Sequence, residues 1–243
     1  MLDAVVAIGY GTVRKRDLTT AVSTVSTEDT KLRPVTEASG FIQGKVAGVT
    51  VQQTSGLPGA GMTVRVRGAS SIASSNDPLY VVDGVPVGTG NYAIAYLSPQ
   101  DIETMQILKD ASSAAIYGSR AANGVVLITT KQGKKSRGPQ INFNASLGLS
   151  NVAKTYEVLN TAEYMDLMNE IGMVKFPEGV ELKDETDWFE ETYRTGINQN
   201  YQISVANASD KMRYYLGAGY SDEQGVLPVA YNKRFNIKAN FDA

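Results

Sequence analysis

Residues 197–221, INQNYQISVANASDKMRYYLGAGYS, contain two stretches in which apolar and polar side chains alternate, separated by a short polar turn at 208–211. In the first stretch, Gln202 and Ser204 fall between aromatic or β-branched residues. In the second, Arg213 and two glycines fall between apolar residues. Alternation with a period of two predicts β-strands with one apolar and one polar face. Each stretch is near the roughly 9–11 residues that cross a bilayer at a tilt.

The same pattern recurs on both sides of this pair, at 141–150 and 235–242. The polar faces carry mainly Asn, Ser, Gly and Tyr rather than the Lys and Glu of a solvated surface. A Lys or Arg facing lipid at mid-bilayer costs about 2–4 kcal/mol, and both Arg213 and Lys238 fall on the polar faces. The pattern therefore favours strands of a transmembrane β-barrel. A soluble β-sandwich would also alternate, so a β-rich adhesin or interaction module stays open as an alternative.

The connections between these strands are long, short and long, which is typical of outer loops and periplasmic turns. The long loop at 151–196 is expected to be partly helical. Asn160 with Glu163 resembles a capping box, and an apolar stripe follows it at helical spacing. A second helical segment is expected near Trp188. The acidic run at 184–191 has no metal-loop spacing and is predicted to be a solvated loop.

The chain up to residue 136 has a different pattern, in which short strands alternate with short helices. Helix starts are predicted after Pro34 and after Asp110. Residues 79–87 form a predicted hairpin whose Asp83-Gly84 turn favours the type I′ geometry. The segment 131–138, KQGKKSRG, is predicted to be a solvated linker between the two parts.

Composition argues against several classes of function. The formal net charge of -2 leaves no basic excess for a phosphate backbone, so nucleic acid is not an expected partner. Cysteine and histidine are both absent, which removes disulfides, thiolate ligands, the commonest general base and the commonest metal ligand. We therefore expect no enzymatic activity, no cofactor and no metal site.

Four runs carry a resemblance to a known family: LDAVVAIGYGTVRKRDLTTAV at 2–22, VRVRGASSIASSNDPLYVVDGVPV at 64–87, LKDASSAAIYGSRAANGVVLITTKQGK at 108–134 and RYYLGAGYSDEQGVL at 213–227. The chain resembles the SusC/RagA-type TonB-dependent transporters of Bacteroidetes outer membranes. The resemblance implies a plug inside a barrel of about 22 strands. It also implies active import of a nutrient such as an oligosaccharide or peptide, with several hundred further residues beyond this chain.

The implied partners are TonB with its ExbB/ExbD energy complex, a SusD-like surface lipoprotein, the nutrient and outer-membrane lipid. A siderophore or cobalamin receptor of the same architecture is the main alternative. The expected fold is an α+β plug, with a small mixed sheet and short helices, followed by antiparallel strands of a truncated transmembrane β-barrel. The predicted division is 1–16 for the TonB box and flexible N-terminus, 17–136 for the plug, and 137–243 for the first four barrel strands.

Three groups of residues are candidate sites. The TonB box lies at Asp3, Ala4, Val5, Val6 and Ala7, where an extended segment adds to the sheet edge of a partner through backbone hydrogen bonds. An edge strand of the plug would also explain this segment.

The second group comprises polar residues expected to hold the plug to the barrel or to neighbouring plug loops: Arg65, Arg67, Asp83 and Arg120. The Asp-Gly turn alone would also explain Asp83. The third group lies in plug loops expected to face the substrate: Ser55, Leu57, Ser70, Ser71 and Asn76. The glycine-rich loop at 56–61 lacks the GK[ST] ending and the strand-to-helix setting of a phosphate loop.

Overall fold

The computed structural model describes residues 5–8, 11–14, 22–26, 36–69, 71–72, 75–110, 114–135, 138–177 and 186–242. The first strands in chain order are β1 (Val5–Ile8), β2 (Gly11–Arg14), β3 (Val22–Ser26), β4 (Val49–Gln53) and β5 (Met62–Val66). They are followed by β6 (Leu79–Val82), β7 (Val85–Thr89), β8 (Ile102–Leu108) and β9 (Val125–Thr130). The last four are β10 (Gln140–Ser150), β11 (Gly196–Ala208), β12 (Arg213–Gln224) and β13 (Tyr231–Asp242).

A five-stranded sheet, with strand order β3-β8-β9-β6-β7, organises the first part of the chain. The pair β6–β9 is parallel and the other pairs are antiparallel, so the sheet is mixed, as predicted. Alternate side chains of β8 and β9 enter apolar clusters on opposite faces of the sheet. The part of the chain from β3 to β9 is called the plug below.

The predicted Asp-Gly hairpin is present, because Asp83 and Gly84 have φ values of 48° and 85° between β6 and β7. The two predicted plug helices have different outcomes. The first is present among the described residues only as the 3-10 segment Ala38–Ile42. After Asp110, residues 111–113 lie outside the described residues, the N–H of Ala114 donates to the Asp110 carbonyl at 3.1 Å as in an α-helical turn, and the 3-10 segments Ala115–Tyr117 and Ser119–Ala121 follow. Glycines with positive φ at positions such as Gly44 and Gly118 interrupt the helical backbone.

A separate antiparallel sheet contains β10, β11, β12 and β13 in chain order, and it is called the wall below. Its apolar side chains point away from the plug, so that Phe143 and Ile237 are 67% and 72% exposed. The alternate polar positions of β11 and β12 face the plug and are largely buried. The predicted facing of these strands is therefore confirmed, and Lys238 points inward as expected.

The connection between β10 and β11 contains α1 (Thr161–Ile171) and α2 (Trp188–Thr192). Asn160 and Glu163 form the predicted reciprocal capping box. Residues 178–185, which include the first two residues of the acidic run, lie outside the described residues. No helix in the described part of the chain has the length and apolar character required to span a membrane.

The predicted linker 131–138 is exposed but also anchored. Lys134 Nζ lies 2.7 Å from a carboxylate oxygen of Glu103 in the plug. Lys135 pairs with Asp210 in the β11–β12 turn and forms an isolated backbone bridge with Ala208. These contacts fix the described part of the linker against the tight-turn end of the wall.

Candidate functional site

Asp101 is the most connected polar contact between plug and wall. It ends the 3-10 segment Pro99–Asp101, and its own backbone carbonyl accepts from the N–H of Lys131 at 2.8 Å. Its carboxylate Oδ1 accepts hydrogen bonds from Gln202 Nε2 at 2.6 Å and from the Tyr215 hydroxyl at 2.8 Å. Its Oδ2 accepts from Asn236 Nδ2 at 3.3 Å. One buried carboxylate thus joins three consecutive wall strands.

Residues of both the plug and the wall make this contact possible. Asp101 is only 2% exposed, so its charge depends on these donors for stabilisation. Gly217 leaves the space that the carboxylate occupies, because a Cβ at that position would lie 3.2 Å from Asp101 Oδ1. Glycine at this inward-facing position therefore lets the plug approach the wall closely.

Other hydrogen bonds surround Asp101. Ser98 donates to Gln202 at 3.2 Å, and Gln100 Nε2 donates to Asn200 Oδ1 at 2.8 Å. Asn240 of β13 donates to the Lys131 carbonyl at 3.0 Å. The interface between plug and wall is thus built largely from amides and hydroxyls, unlike the apolar core of the plug.

Asp83 also contacts the wall. Its carboxylate accepts from the Thr130 backbone N–H at 2.8 Å and from the Thr130 hydroxyl at 2.6 Å. It also lies 3.6 Å from Lys238 Nζ, whose side chain is 16% exposed. The Asp-Gly turn is therefore not the whole explanation of Asp83, which links the hairpin to both β9 and β13.

Among the described residues, the three arginines of the predicted contact set have no hydrogen bond or ion pair with the wall. Arg65 pairs with Asp77 at 3.1 Å and Arg67 pairs with Asp110 at 2.5 Å, both within the plug. Arg120 is exposed in its 3-10 segment, and no hydrogen bond or ion pair is found for it among the described residues. Arg65 and Arg67 therefore hold plug loops together.

The predicted TonB box is extended but already has a partner strand. Val5–Ile8 pairs in antiparallel fashion with Gly11–Arg14, in a two-stranded sheet. Asp3 and Ala4 lie outside the described residues. Two strands alone form at best a marginally stable sheet. A partner strand could therefore replace β2 at a modest cost in free energy.

The loop at 54–61 lies beside the ends of β11 and β12 that adjoin the longer connections. The backbone N–H of Thr54 donates to the Gly61 carbonyl, and that of Leu57 donates to Ser55 Oγ. Gly59 has a φ of 70°, and a Cβ there would lie 2.8 Å from the Asn232 side chain. The Leu57 side chain is about half exposed, so this loop combines a fixed backbone with accessible side chains.

The second loop that is predicted to face the substrate, which contains Ser71 and Asn76, is closed by the side-chain amide of Asn76. Asn76 Oδ1 accepts from the Ser71 N–H at 2.8 Å, and Asn76 Nδ2 donates to the Ser71 carbonyl at 2.7 Å. Ser70 lies outside the described residues. The Asn76 amide is thus engaged in loop structure.

Cavities lie between the described parts of the plug and the wall, and a larger and a smaller one bear on the site. The larger, of about 930 Å³, is called the seam cavity, and it extends along the inward faces of β10, β11 and β12 from Gln140 to Glu223. The smaller, of about 170 Å³, lies between the 54–61 loop, Glu37 and Glu223. Burial raises the pKa of Glu37 and the nearby Glu223 adds to this effect, whereas hydrogen bonding by Asn91 and the charge of Arg234 oppose it. Within the described residues, no cluster of three or more Asp or Glu is placed to hold a metal ion.

Asp101, Tyr215 and Asn236 are not recognisable as site residues from the sequence alone. The useful signal was present in the strand pattern, because Tyr215 and Asn236 fall on the predicted inward faces. Nothing in the local sequence around Asp101 marked it as their shared acceptor, because those partners are more than 100 residues away.

Comparisons with known proteins agree on one kind of protein. Residues 14–125 match the model of the TonB-dependent Receptor Plug Domain. The chain is 38% identical over 246 residues to the TonB-dependent receptor SusC of Bacteroides thetaiotaomicron, covering 99% of this chain and 24% of that protein. It is 41% identical over 248 residues to the TonB-dependent receptor P26 of Formosa agariphila, covering 99% and 25%.

Among solved structures, the RagAB peptide importer in its open-open state matches with a TM-score of 0.87 and 33% identity, covering 98% of this chain and 30% of that one. The similarity therefore extends through both the plug and the wall. The chain spans about a quarter of the length of the curated relatives it matches.

Proposed function

The chain belongs to the SusC/RagA-type TonB-dependent receptors, and we propose that it serves TonB-driven import of a nutrient across the outer membrane of a Gram-negative bacterium. In this proposal the plug gates the barrel, and the cargo is an oligosaccharide, a peptide or a similar molecule. The similar solved structure is that of a peptide importer, which supports this range of cargo. The family match favours this function over the adhesin or interaction-module alternative.

The observation that carries the proposal is the polar attachment of the plug. The contacts of Asp101, Ser98, Gln100 and Asp83 with the wall are hydrogen bonds and one ion pair, and the seam cavity lies alongside them. Water can replace such hydrogen bonds at a small net cost in free energy, whereas an exposed apolar core has no such substitute. A plug held in this way can move away from the wall and return.

Energy coupling is assigned to the segment from Asp3 to Ala7. We propose that TonB, with ExbB and ExbD, captures β1 by adding a strand, in exchange for its pairing with β2. A SusD-like lipoprotein is the proposed outer partner. Residues 1–16, 17–136 and 137–243 are the proposed coupling segment, plug and first barrel strands.

Proline substitution tests this assignment, because proline removes a backbone donor and fixes φ. In the complete receptor, the double variant Val5→Pro/Val6→Pro should abolish growth on the cognate nutrient while ligand binding to whole cells is retained. Val5→Ala is the control and should grow normally, because the backbone provides the contact. Normal growth of the proline variant would refute the assignment, and loss of both binding and growth would indicate a structural strand instead.

A further inference from the structure

One end of the seam cavity gathers hydrogen-bond acceptors that lack donors. Glu223 is only 8% exposed, yet no hydrogen bond or ion pair is found for its carboxylate among the described residues. Ser221 is 4% exposed, and its hydroxyl has no hydrogen-bond partner in the part of the chain that the structure describes. Gln100 donates through Nε2 to Asn200, but its buried Oε1 has no donor from the same described residues. Native structures rarely leave buried atoms such as Ser221 Oγ and Gln100 Oε1 unsatisfied, so a bound group or an ordered water is expected beside them.

These three groups are neighbours. Ser221 and Glu223 are two residues apart on the inward face of β12, a spacing of about 7 Å. Ser221 lies directly opposite Asn200 of β11, the residue that holds the Gln100 amide. All three residues line the seam cavity, whose volume of about 930 Å³ is sufficient for a small-molecule group.

Two cations lie near this end of the cavity, and both have other partners. Arg234, directly opposite Ser221 on β13, donates to the backbone carbonyls of Thr36 and Ala95, at 2.8 and 3.2 Å. Lys233 lies on the opposite face of β13 and approaches Asp222 at 3.4 Å. No described cation therefore forms an ion pair with Glu223.

We propose that this end of the seam cavity is a subsite for a primary ammonium group carried by the transported molecule, an inference that rests on the proposed import function. A primary ammonium has one positive charge, three N–H donors and no acceptor. It therefore matches one carboxylate, one hydroxyl and one amide oxygen. A calcium ion fits less well, because it takes six to eight oxygen ligands that usually include several carboxylates.

The position also fits a route from outside. Glu223 lines the smaller cavity as well, together with Glu37 and the 54–61 loop. A cationic group that passes this loop would first meet two carboxylates and would then reach Ser221 and Gln100. Amine-bearing cargo, such as peptides or amino sugars, is the class that this arrangement selects.

A cysteine probe tests the subsite without knowledge of the cargo. The chain contains no cysteine, and Ser146 lines the same cavity directly opposite Asn200. In the complete receptor without other thiols, Ser146→Cys would be labelled with aminoethyl, trimethylammonioethyl and sulfonatoethyl methanethiosulfonate. The labelling rate of each reagent is divided by its rate with a free thiol in solution. When Glu223→Gln is combined with Ser146→Cys, the ratio of the aminoethyl to the sulfonatoethyl labelling rate should fall about tenfold. This is the effect expected from removing one unit charge that lines the same cavity as the thiol.

Ser221→Ala separates ammonium recognition from simple attraction of a cation. It should slow the aminoethyl reagent about fivefold, the equivalent of one lost hydrogen bond of about 1 kcal/mol, and should leave the trimethylammonioethyl reagent unchanged. Glu103→Gln is the matched control, because Glu103 lines the same cavity but pairs with Lys134. It should change the aminoethyl to sulfonatoethyl ratio less than twofold.

An unchanged ratio in Glu223→Gln would overturn the subsite. Equal slowing of both cationic reagents by Ser221→Ala would overturn the ammonium assignment. Neither measurement requires transport, so these failures leave the proposed import intact. Failure of import would instead be seen as normal growth of the Val5→Pro/Val6→Pro variant, which leaves Glu223 untouched.

Discussion

The plug and the wall use the same residue types in opposite arrangements. The plug buries the Val, Ile and Leu side chains of β8 and β9 in two apolar clusters, and these two strands have no exposed apolar side chain. The wall instead directs Phe143, Leu147 and Ile237 outward and its amides inward, against the plug. Hydrophobic burial requires a nonaqueous neighbour, which is packed protein for the plug and, on our proposal, lipid for the wall. The surface shared by the two parts is therefore polar on both sides.

The largest expected effect tests the outer face of the wall. Phe143→Arg should lower the amount of assembled, heat-modifiable receptor in the outer membrane at least tenfold, because arginine at mid-bilayer costs about 2–4 kcal/mol. Asn144→Arg is the matched control. It lies next in sequence but lines the seam cavity, and it should assemble at close to the unmodified level. Equal assembly of both variants would contradict the proposed lipid-facing side of β10.

The next effect concerns the polar interface. Asp101→Ala leaves the donors of Gln202, Tyr215 and Asn236 without their acceptor, and hydrogen bonds to charged groups contribute about 1.5–3 kcal/mol each. We expect the free energy of plug unfolding in the assembled receptor to fall by about 3 kcal/mol. The measurement is the urea concentration at which protease cleaves the plug.

Asp77→Ala is the control for this prediction. It removes a partly exposed ion pair with Arg65 inside the plug, and such pairs contribute about 0–1 kcal/mol. A similar loss in both variants would show that Asp101 stabilises the plug no more than an ordinary surface contact does.

The smallest expected effect depends on pH. Because the pKa of Glu37 is raised above its ordinary value of 4.5, folding favours its protonated form. Its unfavourable contribution is therefore present at neutral pH and disappears as the pH falls below the ordinary value. Glu37→Gln should raise the urea midpoint of the plug at pH 7.5 relative to the unmodified receptor, and this difference should shrink at pH 4.

Glu170→Gln, in the exposed helix α1, is the control and should change neither midpoint. A gain for Glu37→Gln that is equally large at both pH values would contradict this account of Glu37.

Several features could be predicted from short stretches of sequence. The facing of β12 follows from alternation, the type of the β6–β7 turn follows from Asp83-Gly84, and the start of α1 follows from Asn160 and Glu163. Each depends on residues that are at most a few positions apart, and the geometry of the backbone acts over that range. The family could be identified because the matching runs are long and specific.

The plug contacts could be predicted only as alternatives. Asp83 reaches the wall, whereas Arg65 and Arg67 pair with acidic residues inside the plug, and the sequence left both kinds of contact open. A charged residue in a sequence shows that a partner is needed without showing which one. The choice between Asp77 and a wall residue for Arg65 is made by the path of the whole chain.

The sequence by itself determined which side chains of the wall face inward, where the hairpin turns and which family the chain belongs to. Only the tertiary structure decided that Asp101 is the shared acceptor for three strands, and that Glu223, Ser221 and Gln100 meet at one end of a cavity. The physical reason is the range of the interactions. Backbone periodicity acts over a few residues, whereas these contacts join groups about a hundred or more residues apart, whose proximity depends on how the plug packs against the wall.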